Sequence, residues 1–128
     1  MPSTATMPPR VIHLTAYEGA DFESEQLTAY DGGGSVINLT GATVVAEIRD
    51  RPHGTLYFTP TCTVGAQPSQ GHVTLSLTDL QITPTSVGLT DFGRGLGVLV
   101  IDVEVTTSGG TVYRTHTGTF RVVARTVD

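Results

Sequence analysis

Between Asp31 and Asp50 the chain reads DGGGSVINLTGATVVAEIRD. Three glycines lead into a short apolar run, an Asn-Leu-Thr-Gly corner follows, and apolar and polar residues then alternate. Glycine tolerates positive φ, so Asp31-Gly32-Gly33-Gly34 predicts a tight turn. A two-residue period sends successive side chains to opposite faces of a strand. Val44, Ala46 and Ile48 then face a core, and Glu47 and Arg49 face water. A half-buried strand between sharp corners points to antiparallel β structure.

The same period recurs along the chain. Ile12, Leu14 and Ala16 alternate with His13 and Thr15. A second strand is expected over Phe22 to Tyr30, ending at the glycine turn. Pro52-His53-Gly54 predicts a further turn, and Thr55 to Val64 a strand broken at Pro60. From Gly71, Val73, Leu75 and Leu77 point inward, with Thr74 and Ser76 outward. From Gly97, Leu99, Ile101, Val103 and Val105 point one way, and Val100, Asp102 and Glu104 the other. Ser108-Gly109-Gly110 reads as a hairpin turn, with Thr111 to Val123 returning. Only TDLQITPTSVGLTDFGRG breaks the rhythm. Asp79 could cap one helical turn near 79–83, which Pro84 would end.

Seven or eight short strands with a turn every ten residues or so predict an all-β fold, a β-sandwich or a small barrel, of which a single antiparallel β-sandwich is favoured. The 128 residues suffice for one domain with its own core. We divide them into a Pro/Thr-rich flexible arm, 1–10, and the sandwich domain, 11–128. Charged residues make up 15% of the chain, against about one quarter in a typical soluble protein. All seven basic residues are arginine. Threonine and serine supply the polar surface instead, which suits strands because threonine is β-branched.

A net charge of -5 with scattered arginines argues against a nucleic-acid partner. No apolar run approaches a membrane span, and MPSTATMPPR lacks the apolar core of a signal peptide. Cys62 is the single cysteine, so neither an internal disulfide nor a thiolate metal cage can form.

Candidate chemical sites each have a plainer explanation. Glu18, Asp21, Glu23 and Glu25 form the densest acidic cluster, and calcium would be their sharpest use. Their spacing does not follow an EF-hand loop, and alternation on a strand already groups Asp21, Glu23 and Glu25 on one solvated face. Such charge also blunts an edge strand. His13, His53, His72 and His116 show no ligand spacing for zinc. Gly93 to Gly97, GRGLG, precedes a strand rather than opening a helix, so it reads as a turn and not a phosphate cradle. Asn38-Leu39-Thr40 is a sequon without a secretory signal. No G-x-S-x-G elbow occurs, so no catalytic residue, metal or cofactor is assigned.

Several motifs carry a resemblance through their order. Gly19-Ala20-Asp21-Phe22 is followed by the glycine turn and by Leu39-Thr40-Gly41-Ala42, which enters the strand ending at Ile48-Arg49. Gly71-His72-Val73-Thr74-Leu75 comes next, then Asp102 within VLVIDVEV. Gly118-Thr119-Phe120-Arg121-Val122 closes the series, with Thr126 trailing. From Val11 to Val127 this order resembles the small Ig-like β-sandwich modules of tailed-bacteriophage virion proteins. The N-terminal domain of baseplate upper proteins and related head- or tail-fibre anchoring domains are the nearest in pattern. Val100 and Ile101 stand where that family often has an aromatic, and Asp91 to Gly97 reads as an insertion.

The resemblance implies a non-enzymatic structural protein of the particle, with other virion structural proteins as partners. A homo-oligomer or symmetric array follows from the same resemblance, as does placement in the tail, baseplate or fibre-attachment region. A capsid decoration (cement) or head-fibre role is the alternative, suggested by the small single domain. A carbohydrate-binding module is a more distant one, disfavoured because aromatic residues make up 6% of the chain and tryptophan is absent. The Met1–Arg10 arm is expected to order on binding.

Overall fold

A computed structural model describes residues 8–17, 19–78 and 96–123, with only the backbone of Leu96 and Gly97. The helical turn expected near 79–83, residues 91–95, Glu18 and Thr126 lie outside the described residues.

The described residues form nine strands: β1 (Arg10–Tyr17), β2 (Phe22–Glu23), β3 (Leu27–Thr28), β4 (Thr43–Arg49), β5 (Leu56–Phe58), β6 (Thr61–Val64), β7 (His72–Leu77), β8 (Leu96–Thr106) and β9 (Val112–Val123). One sheet has the order β1-β9-β8-β4-β5; in the other, β7 pairs with β2, β3 and β6. Ser76 pairs with both Glu23 and Thr61, and Val73 with both Leu27 and Val64. β2 and β3 therefore share one side of β7, and β6 takes the other. Sheet membership and chain order are those of an immunoglobulin-like sandwich, with β9, β8, β4 and β5 as strands G, F, C and C′. β2/β3, β7 and β6 stand as B, E and D.

Three local features depart from the expected strands. Phe22 to Tyr30 is not continuous, because Ser24 bends the chain. Its amide donates to the Leu75 carbonyl (2.8 Å), and its Oγ accepts from the Leu75 amide (2.9 Å), so a side chain replaces one rung of the ladder. The pairing of β1 with β9 is parallel, the one such pair in the described sheets, whereas an antiparallel plan was expected throughout. After β1 the chain crosses to β2 in the other sheet through the turn around Gly19 (φ 78°). β1 begins at Arg10, one residue before the expected domain start.

The break at Pro60 has a larger consequence than an interruption. β5 pairs with β4 in one sheet and β6 with β7 in the other, so the chain changes sheets at this buried proline. Proline gives up no ladder hydrogen bond there, because neither sheet claims its nitrogen.

The inward residues of both sheets form one core. Ala46, Ile48, Leu99, Ile101, Val103 and Val105 come from the larger sheet, facing Val73, Leu75 and Leu77 of the smaller. Phe120 of β9 sits at its centre, fully buried. The Phe22 ring meets it edge-on at 5.2 Å from across the sandwich, and Phe58 tilts against it at 5.9 Å. Aromatic pairs in this geometry add about 0.5–1.5 kcal/mol each beyond the area they bury. This cluster ties the sheets together without a disulfide.

The corners at Asp31 and Asn38 are hydrogen-bonded as their residue types require. Asp31 Oδ1 accepts from the amides of Gly33 (2.9 Å) and Ser35 (3.0 Å). Asn38 Oδ1 accepts from the Thr40 amide (3.0 Å), so the sequon side chain holds the turn into β4.

Candidate interaction surface

The outer face of the five-stranded sheet brings together charged side chains from β4, β8 and β9. β4, β8, β9 and β1 each turn alternate residues outward. In register, Val45 lies beside Glu104 and then Arg114; Glu47 lies beside Asp102, Thr117 and Val11. The next row is Arg49, Val100, Thr119 and His13.

Arg114 binds Asp102 Oδ1 through both Nε (2.9 Å) and Nη2 (2.6 Å). Arg49 spans Glu47 Oε1 (3.2 Å) and the Gly54 carbonyl (2.9 Å), bracing the turn that contains His53 at φ 61°. These groups frame a concavity of about 550 Å³. Both pairs are solvated, so each contributes at most about 1 kcal/mol to stability. On this face Arg49 and Arg114 are thus matched by Glu47 and Asp102, beside exposed Glu104 and Val45.

A second cavity, about 270 Å³, opens where Pro8 and Pro9 pass Tyr30 and Tyr113. The Arg10 guanidinium lies 4.0 Å from the Tyr30 ring centroid, a cation–π contact that pins the start of β1. Arg10 thus belongs to the folded domain, although its position in the sequence grouped it with the arm.

A third, open groove of about 280 Å³ runs between β1 and β3 and reaches His116. His116 is buried, and its Nδ1 shares a 2.9 Å hydrogen bond with Thr115 Oγ1. Burial pushes its pKa below the usual 6.5, and the Arg10 charge pushes it the same way; the Thr28 backbone partly offsets both. His116 reaches this position because β9 bulges: Val103 pairs with His116 and Glu104 with Arg114, leaving Thr115 over. The uninterrupted Thr111 to Val123 strand missed this. A signal existed, since Tyr113 and Phe120 both pack on the core yet have opposite parity in the sequence.

The other candidates stay apart. Asp21, Glu23 and Glu25 are exposed on the β2/β3 edge, while Phe22 and Ser24 between them are buried. Among the described residues, no three His, Cys, Asp or Glu side chains group to hold a metal ion. His13 pairs with Thr119 Oγ1 (2.8 Å) and His72 with Thr28 Oγ1 (3.3 Å), each across neighbouring strands. These are cross-strand pairs of the kind that stabilise sheets. Cys62 points toward β4; burial raises its thiol pKa, and a hydrogen bond with the Ala46 backbone lowers it by less.

No protein-family model and no curated protein matches the chain. Among solved structures it is similar to murine CRIg at 15% identity and a TM-score of 0.39, covering 88% of this chain and 92% of that one. It is also similar to part of a family 123 glycoside hydrolase from Clostridium perfringens, at 11% identity and a TM-score of 0.38. That match covers 91% of this chain and 23% of the hydrolase. Neither likeness is strong enough to carry a functional argument, and the immunoglobulin-like assignment rests on the strand order itself.

Proposed function

We propose that this chain is a structural module of a bacteriophage particle that works by packing its sandwich against other virion subunits, in the tail, baseplate or fibre-attachment region. The observation that carries this reading is the ordered motif series from Gly19 to Val122. Its members occupy positions on which the sandwich depends. Leu39 is buried in the corner before β4, Val73 and Leu75 face the core, and Phe120 is its centre. Asp102 sits mid-face and is held by Arg114. A capsid decoration protein would use the same face, and copy number separates the two.

Quantitative mass spectrometry of purified particles tests the proposal. Detection at a few copies per particle supports the tail assignment, and abundance rivalling the major capsid protein supports decoration. Absence from particles refutes both. A truncation lacking residues 1–7 should keep the fold and lose affinity for particles if the arm orders on binding.

A carbohydrate-binding reading gains one observation. Tyr30 and Tyr113, distant in sequence, line a single cavity with two arginines nearby. Arg10 already covers one face of Tyr30, which leaves less ring for stacking. A glycan array without hits sinks this second reading.

A further inference from the structure

Strand β1 is a sheet edge. β9 pairs one side of it, and among the described residues no strand pairs the other. An open edge presents unpaired backbone donors and acceptors, which proteins commonly blunt with charge, proline or a broken strand. The β2/β3 edge of the other sheet is blunted in this way. Its strands have two residues each, with Ser24–Gln26 between them, and Asp21, Glu23 and Glu25 stand exposed along it.

β1 has no such protection. It runs eight residues, RVIHLTAY, without a carboxylate, a proline or a break in its register. Its one full charge, Arg10, is turned onto Tyr30. Val11 and Tyr17, 66% and 59% exposed, are the most exposed large hydrophobic residues among those described. Both stand on the outward face of this single strand, at equal distances from Leu14, and Ile12 and Leu14 are themselves only half-covered.

We infer that the β1 edge pairs antiparallel with β1 of a second copy of this chain, centred on Leu14. Two five-stranded sheets then join into one continuous sheet about a two-fold axis. The pattern selects this register. Pairing about a residue keeps outward side chains opposite outward ones. About Leu14, Val11 faces Tyr17 of the second copy, His13 faces Thr15, and Ile12 faces Ala16. Every exposed apolar residue of the strand gains an apolar partner, and Leu14 meets its own counterpart. About His13, by contrast, Tyr17 would face Pro9, which has no amide to offer, and two histidines would meet.

Charge agrees as well. Within Arg10–Tyr17 no like charges come opposite each other in this register. The inference goes beyond the role proposed above, since it concerns the purified chain alone and is read without any particle.

Light scattering coupled to size exclusion, over a range of concentrations, should show a monomer–dimer equilibrium. Val11→Lys with Tyr17→Lys should weaken it at least about tenfold while leaving the circular dichroism spectrum unchanged, since both side chains are solvent-facing. In a Cys62→Ser background, Leu14→Cys should form an interchain disulfide on mild oxidation. His13→Cys should not, because its two copies lie out of line by two positions, beyond the roughly 7 Å Cα limit. A monomer at every concentration overturns the inference. So does a dimer that the lysine pair leaves intact, or one that cross-links through His13→Cys in preference to Leu14→Cys.

Discussion

Gly118 is the residue against which β1 rests, and replacing it tests how that strand is held. A Cβ at this position would lie 1.7 Å from the Ile12 carbonyl oxygen, 2.7 Å from its carbon and 2.9 Å from its nitrogen. All three are backbone atoms, so no side-chain rotation relieves the clash. β1 must retreat by about 1.5 Å or more to restore ordinary contact, which its hydrogen bonds to β9 cannot span. The strand buries Ala16 fully and Ile12 and Leu14 by about half. At about 1.5–3 kcal/mol for a fully buried aliphatic side chain, its release forfeits about 3 kcal/mol. Lost ladder bonds and regained backbone entropy oppose each other at about 1 kcal/mol per residue and are taken to cancel.

Alanine also stiffens the unfolded chain, returning about 0.5 kcal/mol. Gly118→Ala should therefore cost about 2–3 kcal/mol, or about 8–11 °C in Tm at the usual unfolding entropy per residue. Thermal melts followed by circular dichroism read the shift, and hydrogen exchange should show Arg10–Tyr17 losing protection before the rest. Gly33→Ala is the control. Its Cβ would meet only Asp31 Oδ1, at 3.5 Å, so a change within about 0.5 kcal/mol is expected. A Gly118→Ala protein that melts within about 2 °C of the parent, with β1 still protected, would refute the reasoning.

Phe120→Ala should cost about 3–5 kcal/mol in a denaturant titration, since it removes the ring that Phe22 and Phe58 both touch. His116 has its pKa depressed by folding, so the unfolded chain binds the extra proton first. Its contribution to stability is complete above pH 6.5 and is lost as pH falls below that value toward the lower folded pKa. His116→Gln should accordingly show a smaller drop in Tm between pH 7.5 and 5.5 than the parent (about one pH unit either side of the unfolded histidine pKa). An equal drop would assign the effect to other groups. Cys62, whose thiol is raised by burial, should alkylate slowly with iodoacetamide at neutral pH and at the rate of a free thiol in guanidinium.

How much of this was legible in the sequence differs from strand to strand. The inward sets of β4, β7 and β8 were readable because each strand is straight and one-sided, so parity alone sorts core from solvent. The break at Pro60 was readable for the same local reason. That β5 and β6 belong to different sheets was not, because sheet membership depends on which strands lie alongside. The interruption of Phe22 to Tyr30 escaped because Ser24 satisfies Leu75 through its side chain, an exchange that alternation cannot register. The surface features were less legible still. Arg10 meets Tyr30, and Asp102 meets Arg114, only once the strands are in place.

Alternation and corner chemistry are short-range properties. They act within a few residues, and by themselves they determined that this chain makes strands, which side of most strands is apolar, and where the turns fall. The tertiary structure decided what depends on neighbours distant along the chain. It set β1 parallel to β9 and required glycine at position 118 because the Ile12 backbone lies against it. It also drove His116 inward at the Thr115 bulge, and left β1, among the described residues, with no strand on the side away from β9. The physical reason is that an edge, a bulge or a cross-strand charge pair is a relation between two segments, and neither segment carries it alone.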